Sequence, residues 1–145
     1  MQEEGVPQFV DNDYCFACGT QNPLGLHLRF TREEDGICAR FLPGPHLQGF
    51  AGILHGGVAA TVLDDVMNNL VSRIHGCLVI TATLEMRFRK PVPVEKPLVC
   101  RARLLQRRGR FYRAEAKLFV EGEDEVLVEG TCMMAEVAHD ARAGS

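Results

Sequence analysis

The chain has 145 residues, enough for one domain that buries a core without covalent staples. Sixteen Lys and Arg against nineteen Asp and Glu leave a net charge of −3, and 46% hydrophobic with 24% charged residues is a globular balance. A mildly acidic chain without a basic tract speaks against nucleic-acid binding, whose affinity comes from neutralised phosphates. No run approaches the roughly 18 apolar residues of a membrane span, so no membrane partner is expected.

The start, Met1-Gln-Glu-Glu-Gly-Val-Pro7, is acidic and lacks the apolar stretch of a secretory signal. Six cysteines, at 15, 18, 38, 77, 100 and 132, lie mostly in apolar surroundings and read as buried thiols of a reducing compartment. The expected location is cytoplasmic. Residues 1–25 mix Pro, Gly, Asn and Asp without a period. They read as an irregular segment packed on the domain, because Tyr14, Phe16 and Leu24 need cover. The domain proper spans 26–137, and 138–145 form a frayed polar tail.

Leu26–Thr31 and Ile37–Leu42 read as short strands joined by the turn Glu34-Asp35-Gly36, and Pro43-Gly44-Pro45 stops the second. Gly56 to about Ile74 is the one long helical signal. Val58, Val62, Val66, Leu70 and Ile74 recur every four residues, and Ala59, Leu63, Met67 and Val71 widen the stripe. Thr61, Asp64, Asp65, Asn68 and Ser72 share a narrower polar side, and Gly76 ends the helix. Four more strands follow, over 78–88, 98–106, 111–120 and 126–136, with short connections that suit antiparallel neighbours. So wide an apolar arc demands a sheet curved around the helix. The expected class is α+β, one long helix embraced by an antiparallel sheet of about six strands.

The chemistry concentrates at the head of this helix, in Gln48-Gly-Phe-Ala-Gly-Ile-Leu-His55-Gly56-Gly57. Two glycines leave the first N–H groups sterically open where the helix dipole is positive, so an anion or a developing oxyanion can be held there. Close packing of the helix start would equally select glycine. Asp64 favours the chemical reading, because a carboxylate in the third turn of a mostly apolar helix is expensive unless paired or used. Gly57 and Asp64 are seven residues apart, on one face but about 10 Å apart along the axis. No single acyl group touches both in one helix. If both act on one bond, the second helix comes from another copy of the chain, across a two-fold interface.

His-Gly-Gly followed after six residues by Asp resembles the hotdog-fold acyl-CoA thioesterases of the phenylacetate-pathway type. Cys15-Phe-Ala-Cys-Gly-Thr-Gln-Asn-Pro-Leu-Gly-Leu26 is similar to an N-terminal signature of one branch, and Leu84-Glu-Met-Arg-Phe-Arg-Lys-Pro-Val-Pro93 to the strand after the helix. The resemblance implies a hotdog fold. It also implies that Asp64 is the catalytic carboxylate, as general base or nucleophile, that the Gly57 N–H polarises the thioester carbonyl, and that His55 fixes the loop and the substrate. Gly56 joins the substrate contacts, and Thr81 matches a strand residue that holds the attacking water. Many relatives carry Asn or Gln six residues before the His, where this chain has Gly49. Gln48, one residue upstream, is the candidate substitute.

Asp65 points about 100° away from Asp64 and reads as structural or solvent-facing. Cys15 and Cys18 form a Cys-x-x-Cys pair, but no second pair completes a zinc site, so they read as structural thiols and no metal is expected. Two basic clusters, Arg87/Arg89/Lys90 and Arg107/Arg108/Arg110, are solvated strand edges or landing places for coenzyme A phosphates; Arg89 and Lys90 are preferred for the latter. The reading is a thioesterase without a cofactor, acting on acyl-CoA or another acyl thioester as at least a homodimer, with a homotetramer left open. Two alternatives stand beside it: a hotdog-fold dehydratase or hydratase, and a non-catalytic acyl-CoA-binding module.

Overall fold

The computed structural model describes residues 13–137; most of the acidic start and the tail 138–145 lie outside them. From residue 13 the chain runs through turns to β1 (Arg29–Glu33) and β2 (Gly36–Phe41), then a 3-10 turn (Pro45–Leu47) and helix α1 (Gly56–Asn69). α1 continues through one wider π-helical turn over Leu70–Ile74. Strands β3 (Val79–Phe88), β4 (Leu98–Arg108), β5 (Phe111–Val120) and β6 (Val128–Glu136) follow.

Two expectations for the N-terminal part are corrected. The first strand begins at Arg29, not Leu26, because His27 adopts a left-handed backbone (φ 57°) that interrupts the extended run. Its ring nitrogen Nε2 lies 2.7 Å from the Asn22 carbonyl, which holds the break. Tyr14, Phe16 and Leu24 stay exposed; the segment is pinned by the burial of Ala17, Cys18, Leu26 and Leu28. Backbone bonds from Leu26 N–H to Phe16 O (2.8 Å) and Leu28 N–H to Ala17 O (3.0 Å) fold it back on itself.

α1 buries Ala59, Val62, Leu63, Val66 and Met67, and the π turn adds Leu70 and Val71. Even its polar residues Thr61, Asp64, Asp65, Asn68 and Ser72 are half-covered, as expected of a helix embraced on most of its girth. Gly76, at φ 72°, supplies the left-handed residue that stops it. Arg73 is buried at this C-terminal end, where a cation suits the dipole. It donates Nε to Asn69 Oδ1 (2.7 Å) and stacks 4.6 Å over the Phe30 ring.

The sheet has six antiparallel strands in the order β1-β2-β4-β5-β6-β3. Small residues form a row across its middle, Ala102 opposite Ala116 and Ala116 opposite Gly130, and so let the helix approach. A Cβ at Gly130 would stand 2.9 Å from the Glu85 carbonyl oxygen and 3.3 Å from Leu63 Cδ2. One connection departs from the expected hairpins. β3 pairs with β6 at the far edge, so residues 89–97 cross over two strands to start β4. Pro91, Pro93 and Pro97 disfavour a ladder in that segment. Nine residues reach about 30 Å, ample for three strand spacings of about 4.8 Å each.

The crossover positions the site. Leu54 N–H donates to Val92 O (2.7 Å), Val94 N–H to Gly52 O (3.1 Å), and Ile53 bridges Pro93. The loop that delivers His55 to the helix is thereby clamped from outside. A bulge at Ala82 sets β3: the register with β6 shifts between Thr81 and Thr83. Before it Val79 and Thr81 face inward; after it Met86 packs on the core and Phe88 lies against Gly56.

Candidate active site

Two constellations stand at different heights on α1. The upper one is its N-terminus. His55 is the N-cap, and its Nδ1 accepts the Gly57 N–H at 2.9 Å, so a neutral ring carries its proton on Nε2. The His55 carbonyl accepts both Val58 N–H (2.9 Å) and Ala59 N–H (3.1 Å). Of these first helical donors, Gly56 N–H has no partner among the described residues. His55, Gly56 and Gly57 are exposed.

This end opens on a cavity of about 650 Å³ lined by Phe50, Ile53, Leu54, His55, Gly56, Ala59, Phe88 and the backbone turn Arg89–Val92. It is mostly apolar with a few polar groups at one side, the usual make-up of a small-molecule site. Phe50 and Leu54 line it, whereas Leu63 and Met67 of the same helix and loop region are locked in the core. Phe88 and Val92 were not singled out in the sequence, because only the bulge and the crossover bring them here.

The lower constellation surrounds Asp64. Thr81 Oγ1 donates to Asp64 Oδ1 at 2.6 Å, and Asn68 Nδ2 reaches the same oxygen at 3.3 Å and Thr81 Oγ1 at 2.8 Å. Asn68 also donates to the Asp64 carbonyl (2.8 Å), which fixes its rotamer against the helix. Both side-chain bonds fall on Oδ1, leaving Oδ2 without a partner among the described residues. Asn68 was legible only as part of the polar side; its i+4 spacing from Asp64 is the signal that could have marked it.

The remaining candidates divide. Arg89 and Lys90 reach the rim of the cavity, but each is paired: Arg89 makes a two-pronged bridge to Glu129 (2.9 and 3.0 Å), and Lys90 Nζ lies 3.8 Å from Glu125. The Glu129 carboxylate holds the Arg89 guanidinium above its usual range, and the Arg89 guanidinium draws the Glu129 carboxyl below its own. Gln48 turns into its own loop, accepting Gly52 N–H on Oε1 at 2.9 Å, and is not brought to Asp64. A Cβ at Gly49 would lie 3.5 Å from His55 Cα, so position 49 adjoins the His.

Of the two readings of Asp65, structural or solvent-facing, the geometry favours the structural one. Asp65 turns away from solvent onto the N-terminal segment, where Cys15 Sγ lies 3.6 Å and Cys18 Sγ 3.9 Å from its Oδ1, and its Oδ2 is buried without a hydrogen-bond partner among the described residues. Burial, reinforced by Cys15, pushes the Asp65 carboxyl up to about 8. The hydrogen bond between the two sulfurs pulls Cys15 down to about 5 and holds Cys18 protonated.

A family model described as the thioesterase superfamily matches residues 51–127. The acyl-coenzyme A thioesterase THEM4 of Bos taurus is 34% identical over 98 residues, covering 66% of this chain and 39% of that protein. The chain spans less than half the length of the curated relatives it matches. Among solved structures, a thioesterase-superfamily protein superposes with a TM-score of 0.78 at 22% identity, over 89% of this chain and 70% of that one. A Bacillus halodurans protein crystallised with CoA gives 0.69 at 23% identity, over 78% and 76%. These likenesses show the fold: a central helix wrapped by a six-stranded antiparallel sheet, the hotdog arrangement.

Proposed function

The chain belongs to the thioesterase superfamily, and from that premise we propose that it hydrolyses an acyl-CoA, or a related acyl thioester, at a site shared between two copies. The observation that carries this reading is the separation of the two constellations. The helix head offers open N–H donors beside an apolar cavity, and the Asp64 carboxylate stands about 10 Å further along the same axis. Two helices running in opposite directions across a two-fold axis bring the head of one to the third turn of the other.

β3 is where a second copy would meet the first. It is an edge strand with an unpaired side, and it leaves Ile80, Leu84 and Phe88 exposed. An exposed apolar edge is a template for pairing. In the joined site the acyl chain enters the cavity and the thioester oxygen accepts from the helix-head donors. Gly57 N–H serves once the carbonyl displaces or shares the His55 ring, with Gly56 N–H beside it. Asp64 Oδ2 takes a proton from water as that water attacks the carbonyl carbon, the carbon–sulfur bond breaks, and the proton passes to the leaving thiolate. In the other route Oδ2 attacks the carbon itself, the carbon–sulfur bond breaks, and water hydrolyses the resulting anhydride, one of its protons going to the thiolate. Thr81 and Asn68 hold Oδ1, so the second oxygen stays aimed.

Coenzyme A suits the rim, because the Arg89 and Lys90 ion pairs are solvent-exposed and cost little to open for a phosphate. The crystallised CoA complex of the Bacillus halodurans neighbour and the acyl-CoA thioesterase relatives support that choice. The Cys15–Leu26 and Leu84–Pro93 runs support the phenylacetate-pathway subtype. The free thiols along the chain fit a reducing, cytoplasmic setting.

The test is thiol release from short, long and aromatic acyl-CoAs. Asp64→Asn and Asp64→Ala should lower turnover by about 10²- to 10⁴-fold with unchanged circular dichroism. An unaffected rate removes Asp64 from the mechanism. Acyl-CoA bound tightly by the folded wild type without thiol release replaces the enzyme with a binding module.

A further inference from the structure

We propose that Cys15, Cys18 and Asp65 are the protein ligands of a divalent metal ion of the zinc class, which fastens the N-terminal turn to the central helix. The three ligand atoms lie within 4.8 Å of one another and come from two segments that no local pattern links. In a tetrahedral zinc site, with Zn–S near 2.3 Å and Zn–O near 2.1 Å, the S···O edge is about 3.6 Å and the S···S edge about 3.8 Å. The observed Sγ···Oδ1 separations of 3.6 and 3.9 Å match that edge.

The neighbours favour an ion over a plain thiol–carboxylate contact. Thiols are weak donors, and a sulfur at 3.9 Å satisfies a buried carboxylate poorly. Asp65 Oδ2 is buried with no hydrogen-bond partner among the described residues, a cost that a cation on the carboxylate offsets. The sulfurs carry the outer contacts that orient metal ligands. Cys18 N–H approaches Cys15 Sγ at 3.5 Å, and Asn69 Nδ2 approaches Cys18 Sγ at 3.9 Å while donating to the Asp65 carbonyl at 2.8 Å. The turn is closed by Gly19 N–H on Cys15 O at 2.9 Å, so the Cys-x-x-Cys unit is already shaped as a two-sulfur clip. Two thiolates and one carboxylate select a borderline-soft ion, with solvent as fourth ligand. Asp65 is adjacent to Asp64 but meets the N-terminal turn where Asp64 meets Thr81 of β3, so the ion would act on the fold and not on the thioester.

The full chain is purified with reductant, exposed to zinc, dialysed against metal-free buffer and assayed for metal. About one zinc per chain should be retained. Cobalt(II) in its place should give a thiolate-to-cobalt charge-transfer band. Asp65→Asn, which keeps the shape, and Cys15→Ser should each weaken cobalt binding beyond the roughly 10- to 100-fold typical of losing a mere outer partner. Added zinc should raise the melting temperature of the wild type and not that of Asp65→Asn. A folded wild type that retains no zinc and shows no charge-transfer band overturns the proposal, whatever the variants do. So does a Cys15–Cys18 disulfide that forms in air with zinc present.

Discussion

The role proposed for Asp64 depends on two neighbours that leave half of its carboxylate alone. Thr81 and Asn68 both address Oδ1, and neither blocks Oδ2. A hydroxyl donating to a carboxylate is worth about 1.5–3 kcal/mol. Thr81→Val, nearly the same shape, should therefore lower kcat by about 10- to 100-fold with little change in KM, since only the orientation of the carboxylate suffers. Steady-state kinetics on a good acyl-CoA check this. A rise in KM with kcat unchanged would instead place Thr81 in substrate binding. At the helix head the same economy holds in reverse: the His55 ring occupies the Gly57 N–H that a thioester oxygen would need, so that donor is capped until a stronger acceptor arrives.

At the level of elements, the height of the helix above the sheet decides where Asp64 meets Thr81. That height is set by the small-residue row ending at Gly130. Gly130→Ala places a methyl 2.9 Å from the Glu85 carbonyl and 3.3 Å from Leu63, and the carbonyl cannot move without breaking its ladder. Overpacking of this kind costs about 1–3 kcal/mol, read as a lower denaturant midpoint at constant m. The β3 bulge works at the same level. It turns Thr81 towards Asp64 before the shift and Met86 towards the core after it, with Phe88 at the open cavity, so one strand serves both the carboxylate and the cavity.

For the molecule as a whole, the unpaired β3 edge and the two half-sites ask for one explanation. Leu84→Asp puts a charge on that edge without touching Asp64, His55 or the glycines. Sedimentation should show the dimer giving way to monomer, and thiol release should fall in step with the dimer fraction. A monomer with full activity would sink the shared site. An intact dimer would place the interface elsewhere.

The helix and the strands were legible because their signals are local: a four-residue apolar repeat from Val58 to Ile74, alternation in β4 to β6, and Gly76 as a stop. His55, Gly57 and Asp64 were legible from their spacing and their cost in an apolar helix. Long-range facts were not. The crossover at 89–97 reads as another short loop, although it carries β4 past two strands. The left-handed backbone at His27 and the bulge at Ala82 have no composition that announces them. Asp65 shows the division most sharply. Its sequence position says only that it points away from Asp64; the tertiary fold decides that the direction is occupied by Cys15 and Cys18, 50 and 47 residues away. Periodicity fixes which face a side chain takes, because it is a property of the helix alone. What meets that face depends on chain segments that approach only when the core closes.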